Sequence, residues 1–185
     1  MLEDIFMELR TGIEKALEML RRDLSKIRTG RANAAMLDSI RVDYYGVPTP
    51  IHQMATIAVP EPRLITVKPW ETGQVKAIEK ALRDSDLGLS TQIDGDLIRI
   101  PIPALTEERR KEMVKLTKKN GEEGKVAVRK HMREANEMIE QLNADGEIGV
   151  DDAAEAPKKI ESLGAAGTKK INDLVAAKER DILEV

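Results

Sequence analysis

The sequence predicts an α+β protein: a bundle of three long helices interrupted by a small mixed domain. Three observations carry this. Apolar residues recur at steps of three and four over residues 2–28, and again from 106 towards the C-terminal end. Between 31 and 104 the pattern changes to short, alternating, β-branched runs. Seven of the eight prolines fall in that middle stretch, Pro157 being the exception.

The elements follow in order. Leu2, Ile5, Phe6, Leu9, Ile13, Leu17, Leu20, Leu24 and Ile27 form one narrow stripe, so residues 2–28 are expected to be a long amphipathic helix with Gly30 as its stop. Ile40, Val42 and Tyr44 alternate before Gly46, Pro48 and Pro50. Ala55–Val59 and Leu64–Val67 are short and β-branched, with Pro60 and Pro62 between them, and Leu97–Ile102 alternates again. These read as four strands. Val75, Ile78 and Leu82 predict a helix of about three turns between the third and fourth. Thr106 then reads as an N-cap with Glu107 and Glu108 in a first turn, where acids suit the helix dipole. Met113, Leu116, Asn120, Gly124, Ala127, His131, Ala135, Met138 and Leu142 set the inward face of a helix of ~35 residues, well beyond the ordinary mean. Asp145–Gly149 reads as a turn. A last helix is expected over 158–183, with Ile160, Leu163, Ile171, Leu174 and Ile182 inward. Pro157, Gly164 and Gly167 weaken it, by ~3 kcal/mol for an interior proline and ~1 kcal/mol for an interior glycine.

The bundle is therefore discontinuous, made of residues 1–30 and 105–185, with 31–104 as an insertion. The chain crosses between the two bodies near Gly30–Arg31 and near Pro103–Leu105. Gly30, Arg31, Pro103, Ala104 and Leu105 are the expected hinge, since two crossings restrict twisting but allow bending.

Composition narrows the chemistry. The chain has 185 residues, 41% hydrophobic and 34% charged, with only four aromatics: Trp70, Tyr44, Tyr45 and Phe6. Cysteine is absent, which removes disulfides, thiol nucleophiles and cysteine-ligated zinc. His52 and His131 are too few for a three-histidine metal site. No apolar run approaches the ~18 residues of a membrane span. The acidic, amphipathic start is unlike a secretory signal. Gly121–Lys125 lacks the spacing of a phosphate loop and falls inside a helical pattern, where close helix packing is the better reading. Asp84–Asp86 and Asp94–Asp96 are turn sequences before they are cation sites. No hydrolytic triad can be assembled. The expectation is a cytosolic, non-enzymatic protein with no metal and no cofactor.

The net charge of −3 hides an asymmetry. Residues 105–133 hold ten bases against five acids, and 134–185 hold six against thirteen. On a helical wheel, Lys111, Lys115, Lys118, Lys125, Arg129 and Arg133 fall within about 40° of one line, on the side opposite the predicted apolar set. Like charges at i,i+4 repel, at a few tenths of a kcal/mol per pair. A row kept despite that suits a polyanion, and arginine offers phosphate a bidentate fork. A merely solvated face is the competing explanation. Scarce aromatics argue against single strands held by stacking and favour structured RNA or a duplex backbone. From the residues alone, the chain is an RNA- or protein-binding factor.

Several segments now carry a resemblance. They are Ser25–Ala32 (SKIRTGRA), Val42–Pro50 (VDYYGVPTP), Ser85–Ser90 (SDLGLS), Leu97–Pro103 (LIRIPIP), Leu105–Lys111 (LTEERRK) and Lys125–Arg129 (KVAVR). In order and spacing they resemble bacterial ribosome recycling factors, over residues 1 to about 150. The resemblance implies a three-helix bundle and a β/α/β domain joined as an L of roughly transfer-RNA outline. It implies a cytoplasmic, monomeric factor, not bound to membranes. With elongation factor G and GTP hydrolysed by that partner, such a factor splits post-termination ribosomes, releasing subunits from messenger and deacylated transfer RNA; initiation factor three then keeps them apart. It also implies that the bundle lies on large-subunit ribosomal RNA and that the small domain swings to meet elongation factor G. By position, Arg110, Arg129 and Arg133 match family arginines facing ribosomal RNA, and Arg28 and Arg31 match those at the first crossing. Lys111, Lys118 and Lys125 complete the expected RNA-binding set. One departure stands out: where the family reads Asn-Ile-Arg-Arg, this chain reads Lys130-His131-Met132-Arg133, with methionine in place of an RNA-binding arginine. The alternative reading is a helical RNA- or protein-binding adaptor of the translation machinery without splitting activity.

Overall fold

In the computed structural model, residues 1–184 are described. Four helices are present among them: α1 (Leu2–Ser25), α2 (Val75–Arg83), α3 (Glu107–Ala144) and α4 (Val150–Leu183). Six strands accompany them: β1 (Arg41–Tyr44), β2 (Val47–Pro50), β3 (Ala55–Glu61), β4 (Leu64–Pro69), β5 (Gln92–Asp94) and β6 (Leu97–Pro101). The fold is α+β. The described chain divides into two units, Met1–Arg28 with Glu107–Glu184, and Thr29–Thr106.

The helical unit packs α1, α3 and α4 on one another. In α1 the apolar stripe is inward as expected: Ile5, Phe6, Leu9, Ile13, Leu17, Leu20 and Leu24 are buried, joined by Gly12 and Ala16. Each fully buried leucine of this row contributes about 2 kcal/mol of apolar burial. The helix ends at Ser25, earlier than Gly30 suggested. Lys26 N–H bonds Asp23 O at 3.3 Å and Ile27 N–H bonds Leu24 O at 3.1 Å, the tight three-residue closure common at helix ends. Gly30, at φ +75°, lies beyond, in the other unit.

The inward face of α3 differs from the predicted one. Thr117, Gly121, Gly124, Val128, Ala135 and Ile139 are buried, whereas Leu116 and Met138 are exposed. The predicted face leaned on large apolar side chains; the packed face is built mainly from small ones. Small residues let helix backbones approach, and distance between axes follows the side chains at the contact. A β-carbon at Gly121 would meet Val175 Cγ2 at 2.5 Å, and one at Gly124 would meet Ile171 Cδ1 at 3.4 Å. The buried Thr117 hydroxyl donates to Met113 O at 2.8 Å, so it carries no unsatisfied polar group inward.

Helix α4 begins at Val150, eight residues before the predicted start, and runs without a break through Pro157. Asp151 and Asp152 occupy its first turn, where negative charge is favoured. Pro157 lacks the N–H that would reach the Ala153 carbonyl, but it sits on the exposed side, where water can take that place. Gly164 and Gly167 lie in the buried face and serve packing: a β-carbon at 167 would meet Ile13 Cγ2 at 2.8 Å. Lys159 joins α4 to α1, its Nζ 2.9 Å from Glu3 Oε1 and 4.1 Å from the centre of the Phe6 ring.

The inserted unit has two sheets. β1 and β2 form a hairpin, and β3-β4-β6-β5 form a four-stranded antiparallel sheet. Two of the six strands were not predicted. β2 contains Pro48 and Pro50, which read as turn residues, yet prolines are tolerated in a two-stranded edge. β5 is only three residues long and exposed throughout. Pro60 lies within β3, where the pairing with β4 shifts between Ala58 and Glu61. The β1–β2 turn is Tyr45–Gly46, with φ of 50° and 83°, as a type I′ turn requires. Ile65, Val67, Ile98 and Ile100 alternate inward from the sheet and meet Val75, Ile78 and Leu82 of α2 over one core.

Candidate nucleic-acid interface

Helix α3 is 38 residues long, so at 1.5 Å per residue it offers an edge of more than ~50 Å. Lys111, Lys115, Lys118, Arg129 and Arg133 are exposed along it, and Lys125 is half-buried. The row is not opposite the core, as the wheel suggested. It borders the contact with α4: Lys118 Nζ lies 4.0 Å from Glu179 Oε1, and Gly121, in the same stretch of helix, packs on Val175. The correction follows from the small-residue face of α3, which rotates the buried side by about 60° from the predicted one. The outermost face instead mixes signs, with Lys119 pairing Glu123 at 4.0 Å and Lys130 pairing Glu134 at 3.8 Å.

Carboxylates moderate part of the row. Lys111 pairs with Glu107 at 3.6 Å, and Lys125 donates to Glu122 Oε1 at 3.0 Å. Such exposed pairs contribute little to stability, and a phosphate can displace them. Among the described residues, Lys115, Arg129 and Arg133 have no carboxylate within ion-pair distance. Arg110 is half-buried and helps line a cleft of about 480 Å³ with Glu107, Lys111, Val114, Lys115, Lys118 and Leu183. Four cations and one carboxylate, Glu107, surround two apolar side chains at this end of the row.

The structure thus brings Lys111, Lys118, Lys125, Arg129 and Arg133 onto one edge, with Arg110 beside its N-terminal end. Arg28 is exposed just after α1, in the helical unit, and Arg31 is exposed in the inserted unit. Lys130 is on the mixed outer face and does not take over the place of residue 132. Met132 is half-buried against Gly164. His131 stacks over Gly12 with its Nδ1 3.2 Å from Glu134 Oε2, at the half-exposed rim of the α1–α3 contact instead of in the core. Sequence reasoning missed Val114 and Leu183 beside Lys115, and only the cleft brings Leu183 of α4 to this place.

A long helical bundle with a row of cations along one helix, and a separate small unit inserted in its chain, has the features of a polyanion-binding factor. The ribosome recycling factor family model matches residues 20–183. The ribosome-recycling factor of Sorangium cellulosum (strain So ce56) is 70% identical over 185 residues, covering 100% of both chains. That of Anaeromyxobacter dehalogenans (strain 2CP-C) is 55% identical over 183 residues, 99% of this chain and 97% of that one. Among solved structures, a solution structure of the ribosome recycling factor is similar at TM-score 0.78, with 42% identity, covering 100% of this chain and 98% of that one. A Thermus thermophilus ribosome recycling factor, from models with Escherichia coli elongation factor G on the E. coli post-termination complex, is similar at TM-score 0.66, with 40% identity and 99% of each chain. The chain belongs to the ribosome recycling factor family, and is a translation factor acting in ribosome recycling.

Proposed function

We propose that this chain, with elongation factor G and GTP, splits post-termination ribosomes and frees the subunits from messenger and deacylated transfer RNA. The cationic edge of α3 carries the reading. It supplies exposed arginines and lysines in a line, spaced for phosphates along folded ribosomal RNA of the large subunit. Arg110, Lys111, Lys118, Lys125, Arg129 and Arg133 make that contact, with Arg28 and Arg31 adding to it near the first crossing. The factor performs no bond chemistry; the energy comes from GTP hydrolysed by its partner. It works as a cytoplasmic monomer. Gly30, Arg31, Pro103, Ala104 and Leu105 form the joint at which the inserted unit moves to meet elongation factor G. Gly30, at φ +75°, has the conformational freedom of glycine, which supports a joint at the first crossing.

The test is splitting of post-termination ribosomes, followed by light scattering, with elongation factor G and GTP. Scattering falls only when this protein is present. An unchanged trace with and without it would overturn the reading.

A further inference from the structure

Met132 lies on α3 between Arg129 and Arg133, and it is half-buried while both arginines are exposed. Its thioether fills a notch in α4 that only glycine leaves open. A β-carbon at Gly164 would fall on Met132 Sδ and stand 2.5 Å from its Cε and 3.1 Å from its Cγ. No other glycine within the helices is approached so closely. Methionine suits such a seat, since its unbranched chain adapts to an irregular gap. On a helix, residue 132 is turned by about 60° from 129 and by about 100° from 133. A side chain pinned there therefore fixes the rotation of α3, and with it the direction in which the two arginines leave the bundle.

We propose that Met132, seated against Gly164, is a positioning residue for the Arg129–Arg133 edge and not part of the contact surface. This rests on the reading of that edge as the RNA-binding face. The two arginines sit one helical turn apart on the same face, so a roll of α3 would turn both away from the edge together. Val128 and Ala135 are buried on the core side of the helix, Val128 beside Gly167, and Met132 adds a second hold on α4 at Gly164. The bundle thus uses a packing contact, with no charge of its own, to aim two charges.

The test combines thermal unfolding with binding of the full chain to isolated large ribosomal subunits across a range of salt. Met132→Leu keeps affinity and salt slope. Met132→Ala weakens binding several-fold, while Met132→Arg adds a cation without steepening the slope. Gly164→Ala lowers the melting temperature alone but raises it when added to Met132→Ala, because the notch is then empty. The proposal is overturned if Met132→Arg steepens the log–log slope by about one phosphate contact. It is also overturned if Met132→Ala leaves affinity unchanged, or if Gly164→Ala acts alike in both backgrounds. Arg129→Glu with Arg133→Glu separates the two levels: no loss of affinity there removes the RNA-edge reading itself, whereas loss there without loss in Met132→Ala removes only the positioning role.

Discussion

Gly121 of α3 faces Val175 of α4 so closely that a β-carbon at 121 would stand 2.5 Å from Val175 Cγ2. Valine is stiff at χ1 in a helix and cannot swing away, so the helices themselves must part. Gly121→Ala is therefore expected to destabilise the bundle by about 1–2 kcal/mol, the overpacking loss outweighing alanine's better helix propensity. Urea unfolding measures this, and a net gain in stability would contradict the contact.

Arg129→Glu combined with Arg133→Glu reverses two unpaired, exposed charges while touching nothing buried. Affinity for the large subunit is expected to fall at least about tenfold, given the share of binding that phosphate contacts supply. Thermal unfolding should stay nearly unchanged. Equal losses of folding and binding would assign these arginines to the structure.

Binding should weaken steeply with salt. About five phosphate contacts along the α3 edge give a slope of log K against log salt between roughly −3 and −5. A flat response in filter binding or ultracentrifugation would count against the cationic row as the contact.

Glu3 is held below the usual carboxylate range by its hydrogen bond from Lys159 and by that lysine's charge. A carboxylate with a lowered native pKa stabilises the fold above its unfolded pKa and loses that contribution as pH falls through the native one. The melting temperature of Glu3→Gln should thus approach that of the parent chain on acidification and lie below it at neutral pH. Calorimetry between neutral and acid pH checks the sign; a constant difference would dissociate Glu3 from the α1–α4 join.

Trp70, the single tryptophan, is 64% exposed in the inserted unit, its indole N–H donating to Thr56 Oγ1 at 3.0 Å. If the inserted unit meets elongation factor G, Trp70 emission should shift when that factor joins the ribosome-bound protein. Unchanged emission would remove this surface from the contact.

Much of this architecture could be read from residue order. The α1 stripe was legible because its core is made of large aliphatics at regular spacing, and α2 because Val75, Ile78 and Leu82 stand out among charges. The α3 face was only partly legible: Gly124 and Ala135 were placed inward, but Thr117 and Gly121 carry little hydrophobic signal and pack by closeness instead. The start of α4 was obscured by Pro157, whose penalty is small on an exposed side. β2 was hidden by two prolines that an edge strand tolerates. For the candidate site, the cations of α3 were visible as a periodic row, but its bearing towards α4 depended on the misread face. The seat of Met132 could not be found at all without Gly164, thirty-two positions away in sequence.

The glycine seam of α3 and α4 also sets how this chain can change over time. A buried leucine of α1 can be exchanged for isoleucine or methionine at modest loss, and a later substitution can restore the volume. A glycine at a helix crossing has no smaller substitute, so every replacement pushes in one direction. Drift at Gly121, Gly164 or Gly167 is open only when the facing residue shrinks at the same time, and these positions are expected to alter in pairs or not at all.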